Sequence, residues 1–497
     1  MSAPTHPSLT AGPAYPAAPP TAMGRMRAVL PSTDAFRMLV GALMVVTISR
    51  IHQHYGFLKP FRPALVLVGL AALYALANPR MLVSGNLLRL WPTRLMAYMG
   101  AAACVSVPFG LSMGGSAAFI LDEYSKTLIF GFLVVAAIRH VRDLYTMVWS
   151  YVVACAFLAW LSIFVYKMKI AKGDDFARIQ TGYSYDSNDL GLVVLIGMVF
   201  SIMMLQVGSQ KGKLFNLAML ASIGVTIAKT GSRGTLLGLA TVVAVLLVLL
   251  ENVSSAKKLG FVGIVSLGLV FAAPAGYWDQ MLTIFAPADD YNLTSTTGRW
   301  QVWKRGMTYL GLNPITGIGI DNFGRAEGMY SPMAAARNYD PNLSGIKWSA
   351  AHNSFVQALV ETGIIGGGIF VALVFGGIYQ MFKLRRRMPK HWARGDPEQR
   401  FLVSMCSYMP AALIAFAVSG SLVSFAWIDP IYVLAALMSG LYVSVERKLA
   451  EEQGSGELAG TEPVPVVLPR QGRGGLAHLP AGAVMPGQGF RTPPRRP

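Results

Sequence analysis

The stretch "DLGLVVLIGMVFSIMMLQV", residues 189–207, carries one acidic side chain, Asp189, at its very start and no other charge. A helix over this run rises about 30 Å, the thickness of a hydrocarbon core. In lipid the backbone must satisfy its own hydrogen bonds, so a run of this kind is read as a membrane helix. Comparable runs recur at roughly 36–50, 62–77, 95–110, 120–138, 144–166, 214–229, 235–250, 259–273, 362–382, 400–425 and 430–445. The composition agrees: 54% hydrophobic, 13% charged and a mean hydropathy of +0.48, where a soluble chain carries roughly a quarter charged residues. The expectation is an all-α polytopic membrane protein with about twelve transmembrane helices.

Basic residues fix the orientation. Arg25, Arg27 and Arg37 precede the first span, and Arg80, Arg89 and Arg94 follow the second. Arg139 and Arg142 follow the fourth, Lys211 and Lys213 the sixth, Lys257 and Lys258 the eighth, and "KLRRRMPKHWAR" the tenth. All fall on one side if both termini are cytoplasmic. The net charge of +18 is thereby assigned to membrane orientation and anionic lipid rather than to nucleic acid, for which no recognition motif is present. Residues 1–34 and 446–497, rich in Pro, Gly, Ala and Arg, are expected to be disordered cytoplasmic tails flanking a membrane domain at 35–445. In the second tail, Arg491, Arg495 and Arg496 would attract lipid. The first tail lacks the pattern of a cleavable signal. Cys104, Cys155 and Cys406 sit in separate apolar runs and form no CxxC pair, so neither a disulfide framework nor a thiolate metal site is expected.

The long segment 274–351 falls on the outer face and carries patterned stretches such as "GRWQVWKRGMTYLGL", read as amphipathic helix at the interface. Arginine on this side runs against the positive-inside trend. Arg233, in "AKTGSRGTLLG", lies at a tight turn that opens a helix, where exposed N–H groups and the dipole attract anions. A phosphate or diphosphate would suit its fork, and headgroup anchoring is the competing reading. Gly234 and Gly238 form a small-xxx-small pair, better explained by close helix packing. Arg299, in "TSTTGRWQVWKRG", opens the amphipathic stretch, with Trp300 and Trp303 placed to seat it in the interface.

"NPITGIGIDNFG", residues 313–324, lacks GxGxxG spacing and reads as a rigid outer turn from which Asp321 or Asn322 could reach a sugar hydroxyl or cap the turn. The outer loop "KMKIAKGDDFARIQTGYSYDSNDLG" mixes Arg178, Tyr183 and Tyr185 with Asp186 and Asn188, a surface that could bind glycan, though Asn188 equally suits a helix cap.

Finally, "WSAAHNSFVQALVETGIIGGG", residues 348–368, sets His352 at the mouth of a helix. If that helix starts near 350, His352 shares a stripe with Phe355, Val356 and Leu359, while Asn353, Gln357 and Glu361 share another. The positive end of the helix would favour the neutral imidazole, which can accept a proton. An interfacial packing histidine is the competing reading. No HExxH or ExxH pattern accompanies it, and no metal or cofactor is expected.

Taken in order, "TGSRGTLLG", "TGRWQVWKRG…NPITGIGIDNF" and "AHNSFVQALVETGIIGG" resemble the O-antigen ligase and Wzy-like polymerase superfamily of bacterial envelope enzymes, most specifically over 220–370. The resemblance implies a GT-C-like membrane glycosyltransferase in the bacterial inner membrane with a large periplasmic loop. Its donor would be an undecaprenyl-diphosphate-linked glycan. Its acceptor would be a lipid A–core sugar in the ligase branch and a second lipid-linked glycan in the polymerase branch, as in exopolysaccharide or O-antigen assembly. Arg233 and Arg299 match arginines expected to hold the donor diphosphate, and His352 the histidine expected to activate the acceptor hydroxyl. Arg178, Asn188 and Asp321 are candidates for glycan contact. Direct, metal-independent displacement would invert the anomeric centre. An anion (inorganic carbon) transporter or a lipid-sugar flippase would place charge near the bilayer midplane. The span centres are nearly free of it, with Asp122, Glu123 and Lys126 the closest exception.

Overall fold

The computed structural model describes residues 29–78, 87–170, 177–181, 185–249, 254–286, 291–296, 298–339 and 349–460. Arg25, Arg27, Arg80, Tyr183, Arg491, Arg495 and Arg496 lie outside them. The chain divides into two units, 1–449 and 450–497, and the site belongs to the first. Within the stretch expected as an N-terminal tail, Val29 is buried and the Ser32 N–H donates to Thr146 Oγ1 at 2.8 Å.

Helices form on the apolar runs. The first is α1 (Ala35–Ser49), capped by Asp34, whose carboxylate accepts from the Phe36 and Arg37 N–H groups. It buries Phe36, Val40, Leu43, Met44 and Ile48, the spacing of one helical face. Next come α2 (Pro63–Ala77), α3 (Trp91–Ser106), α4 (Ser125–Ala137) and α5 (Val141–Phe164). A β-hairpin of β1 (Lys167–Ile170) and β2 (Ala177–Gln180) follows, antiparallel with Lys169 opposite Arg178. This short hairpin leaves the all-α expectation standing: "KMKI" and "ARIQ" lack a helical period, and their short alternating patterns pair across a turn.

The chain continues through α6 (Ser187–Val207), α7 (Gln210–Thr230), α8 (Arg233–Leu249) and α9 (Ser255–Ala272), then α10 (Arg299–Leu310) and α11 (Phe323–Tyr330). The last helices are α12 (Ser354–Val371), α13 (Gly377–Arg387), α14 (Pro397–Gly420) and α15 (Asp429–Gly460), which runs past the expected end of the final span at 445.

Among the described residues, five helical stretches are long and apolar enough to cross a membrane: Gly56–Ala77, Val141–Phe164, Ser187–Val207, Ser354–Arg387 and Pro397–Gly420. Three shorter apolar helices, Ala35–Ser49, Arg233–Leu249 and Lys258–Ala272, accompany them. About twelve spans were expected, and the shortfall has local causes. The run at 120–138 is interrupted by a π-turn at Ile120–Tyr124. The run at 95–110 stops as α-helix at Ser106, just before Pro108. Helix α7 keeps Lys211, Lys213 and Asn216 within its length.

The opening stretch becomes α6, the most enclosed of the five, with Leu190 through Met204 buried. Glycines let its neighbours close in: Gly191 lies against Thr235 of α8, and a Cβ at Gly197 would sit 2.5 Å from Cys155 Sγ of α5.

Two sets of contacts define the bundle ends. At one, Arg37 donates to the Ala137 carbonyl, Arg142 approaches Glu398 at 3.5 Å and Lys448 pairs with Glu398 at 3.2 Å. At the other, His54 bonds Tyr166 at 2.7 Å, Arg50 pairs with Asp429 at 2.9 Å, and the Leu111 N–H donates to the Ile318 carbonyl. The candidate residues gather at this second end.

Candidate functional site

The segment 313–324 forms a turn, as its glycines suggested. Gly317, Gly319 and Asp321 all adopt positive φ, at 76°, 93° and 62°. The turn lies along α12 as a short ladder: the Ile318 N–H donates to the Val360 carbonyl at 3.0 Å, Gly319 N–H to Glu361 at 3.0 Å, and Ile364 N–H to Pro314 at 2.9 Å. Those carbonyls and the last amide are available because α12 breaks at Gly363, whose φ of 67° and ψ of −171° leave the helical region. The approach is so close that a Cβ at Gly317 would meet the Glu361 backbone, and one at Gly363 the Ile315 carbonyl.

Glu361 fastens this assembly from inside. Its Oε2 accepts from the Asp321 N–H at 3.0 Å and from Trp427 Nε1 at 2.6 Å, and its Oε1 accepts from the Phe323 N–H at 3.1 Å. Gln357 Oε1, one turn earlier, accepts from the Ala426 N–H at 3.2 Å. Asn353 caps the helix through the Phe355 and Val356 N–H groups. The polar stripe Asn353–Gln357–Glu361 therefore organises backbone: Asn353 at its own helix start, Gln357 in the connection 421–428 between α14 and α15, and Glu361 in the 313–324 turn. Glu361 is assigned no role by the sequence, which shows only its fourfold spacing from Asn353 and Gln357.

His352 stands just before this cap, because the helix begins at Ser354 rather than near 350. It is outside the first helical turn and does not continue the stripe of Phe355, Val356 and Leu359. Its φ of 45° is left-handed, a conformation that costs a non-glycine residue roughly 1 kcal/mol or more and that persists where its surroundings enforce it. Here the enforcement is visible. The His352 N–H donates to Ser424 Oγ at 2.8 Å, Ser354 Oγ donates to the Val423 carbonyl at 2.8 Å, and the Phe425 N–H donates back to Ser354 Oγ at 2.9 Å.

Arg233 opens α8 after Gly231, which ends α7 with a φ of 57°. Ser232 Oγ accepts from the Thr235 N–H at 3.2 Å, the capping geometry expected at an anion-attracting terminus. The Arg233 guanidinium donates to Thr283 Oγ1 at 2.6 Å. Gly234 lets Leu422 approach, with a Cβ there falling 2.9 Å from Leu422 Cδ1, and Gly238 lies against Ser419. The small-xxx-small pair thus packs α8 onto α14 and the connection that holds His352.

Arg299 is the first residue of α10, half-buried, and its charge acts on Asp189 at the start of α6. One turn on, Trp303 Nε1 donates to the Ala351 carbonyl at 2.9 Å, adjacent to His352. The apolar face of α10 was expected to lie on the membrane. Instead Val302, Tyr309 and Leu310 pack with Ile318, Phe323 and Val360, while Trp300 stays exposed beneath Lys304. Beside them Arg305 grips the fully buried Glu327 with two hydrogen bonds of 2.8 and 2.7 Å, and Tyr309 donates to the same carboxylate at 2.8 Å. Hydrogen bonding to Glu327 raises Arg305 further, and burial followed by the hydrogen bond to Glu327 raises the Tyr309 phenol.

His352 donates to Ser424, and Gly234, beside Arg233, packs on Leu422 of the same connection, while the helix that Arg299 opens reaches the Ala351 carbonyl through Trp303. The remaining candidates fall differently. Asp321 is exposed on the turn, its carboxyl pushed upward by partial enclosure and drawn back by Arg325. Arg178 lies half-buried on β2. Asn188 does not cap α6: Asp186 does, accepting from the Asn188 and Asp189 N–H groups, and Asp189 completes the capping box.

No curated protein matches the chain. Residues 217–371 match the family model described as O-antigen ligase, Wzy_C. That match begins within α7, ends with the last residue of α12, and contains Arg233, Arg299, the 313–324 turn, His352 and Glu361. Over residues 217–371 the chain thus carries an O-antigen ligase domain, the family that its motifs resemble.

Proposed function

We propose that this protein is a GT-C-like glycosyltransferase that moves a glycan from undecaprenyl diphosphate to a sugar hydroxyl on the periplasmic face of the inner membrane. The ligase reaction, with lipid A–core as acceptor, is the leading form. The observation that supports the proposal is that Arg233, Arg299 and His352 all lie inside the segment that matches the family, with His352 held in a strained conformation by Ser424. The basic opposite end, with Arg37, Arg142 and Lys448, supports a cytoplasmic assignment for that side.

In the reaction, the acceptor oxygen attacks the anomeric carbon as the bond to the diphosphate oxygen breaks. The proton passes to the His352 imidazole, and undecaprenyl diphosphate departs with the electron pair. Arg233 and Arg299 balance the charge growing on that leaving group, where preformed cations are most effective. A single displacement inverts the anomeric centre and calls for no metal ion. Arg178, Asn188 and Asp321 are assigned to glycan contact.

The test supplies purified protein with an undecaprenyl-diphosphate glycan and either lipid A–core or further donor. One transfer to lipid A–core identifies a ligase, and a ladder of lengthening lipid-linked chains identifies a polymerase. His352→Ala should slow transfer by about 10²–10⁴-fold, the worth of a general base. Transfer by neither route with the intact protein refutes the proposal.

A further inference from the structure

Side chains from two segments grip the peptide bond just before His352. Its carbonyl oxygen, that of Ala351, accepts from Trp303 Nε1 at 2.9 Å, and its N–H, that of His352, donates to Ser424 Oγ at 2.8 Å. A peptide unit is planar, with its C=O and N–H on opposite edges, so one bond on each edge fixes the orientation of the whole plane. With that plane fixed, φ at His352 sets the direction of its Cα–Cβ bond, and φ is held at 45°.

Both grips have packed supports. Ser354 Oγ donates to the Val423 carbonyl and accepts from the Phe425 N–H, so one buried hydroxyl holds the residues on either side of Ser424. Trp303 stands on α10, and Gly306, three residues on, lets that helix close on α12. A Cβ there would fall 2.9 Å from Phe323 Cε2 and 3.3 Å from Val356 Cγ1. Asn353 caps α12 through the Phe355 and Val356 N–H groups, which fixes the backbone immediately after His352. Both gripping segments are thus anchored on the first turn of α12, the helix that His352 precedes.

We infer that Trp303 and Ser424 are positioning residues for His352, clamping the 351–352 peptide so that a left-handed φ persists and the imidazole is presented in one direction. The inference rests on the reading of His352 as the base. Trp303 also stands one turn beyond Arg299 on α10, so the clamp ties the backbone of the base to the helix that carries one of the diphosphate arginines. Released from either bond, His352 relaxes toward the negative φ that a non-glycine residue prefers, and the ring swings away. A displacement of about 1 Å at a reacting group costs on the order of 10²-fold in rate.

The test uses the full chain in nanodiscs, with an undecaprenyl-diphosphate glycan as donor and lipid A–core or further donor as acceptor. Trp303→Phe, which keeps a ring but loses the N–H, and Ser424→Ala should each lower kcat at least about tenfold with the donor KM within about twofold. Ser424→Thr, which keeps the hydroxyl, should recover most of the loss. In a His352→Ala background neither change should slow the residual transfer more than about twofold, because a clamp that acts through the imidazole has nothing left to position. Hydrogen–deuterium exchange resolved at the His352 amide reads the clamp without turnover, and both variants should speed it at least about tenfold. Full transfer by His352→Ala would remove the base reading and leave exchange to decide the clamp. Where His352→Ala does slow transfer, unchanged kcat in both clamp variants, or an equally large loss in the His352→Ala background, overturns the inference. Unchanged exchange in both variants overturns it in every case.

Discussion

Glu361→Gln isolates the fastening of the site from its chemistry. The carboxylate is 2% exposed and receives three N–H donors, two on Oε2 and one on Oε1. Glutamine has nearly the same shape but one carbonyl oxygen. With that oxygen at the Oε2 position, the bonds from Asp321 and Trp427 survive. The amide NH₂ then meets the Phe323 N–H, donor against donor. The direct cost is one buried unsatisfied donor, about 1–3 kcal/mol. It should appear first as local opening of the 313–324 turn, which is tied to α12 by the ladder at Val360, Glu361 and Pro314.

Hydrogen–deuterium exchange of the intact protein in nanodiscs reads this directly. A loss of about 1.4 kcal/mol speeds exchange through local opening about tenfold at Phe323 and its neighbours. Glu361→Ala, which strands all three donors, should open the turn further and lower the thermal midpoint. Unchanged exchange at 318–323 in both variants would refute the claim that Glu361 holds the turn.

Other expectations follow from the same contacts. Arg305→Ala leaves the buried Glu327 carboxylate without its guanidinium and should cost about 3–5 kcal/mol, while Arg305→Ala/Glu327→Gln recovers part of that; thermal unfolding of both variants checks the coupling. His352→Gly relieves the positive φ that His352→Ala retains, so the glycine variant should be the more stable by about 1 kcal/mol while both lose transfer. Gly238→Ala drives a methyl into Ser419 and to 2.8 Å from Leu195 Cδ2, with an expected loss of about 1–3 kcal/mol in a denaturation series.

His52 and His54 should make stability depend on pH. Burial, reinforced by Arg50 for His52 and by His52 and Lys59 for His54, lowers both below the ordinary value near 6.5. The unfolded chain then binds protons that the folded one resists. Stability is held above about pH 6.5 and falls as pH drops through the lowered values, and His54→Gln should flatten that slope.

Much of this protein was legible in its residues. Uninterrupted apolar length forces helix, because lipid offers no other partner for the backbone, and so 189–207 could be read as a buried helix before any contact was known. The glycines of "NPITGIGIDNFG" announced a turn, in which Gly317 and Gly319 adopt positive φ. Local rules misplaced finer features. They put His352 in the first turn of a helix that Asn353 in fact caps, gave Asn188 the cap that Asp186 makes, and laid α10 on the membrane although its apolar face packs on α12.

Sequence alone determined what each segment must become, since hydropathy, charge and φ preference act within a few residues. Tertiary structure decided which segments meet. The connection 421–428 carries no charge and no motif, yet it carries the hydroxyl that receives the His352 N–H and the indole that reaches Glu361, and it packs on Gly234. Its role depends on contacts across about 70 to 190 positions of chain, distances over which no local periodicity extends.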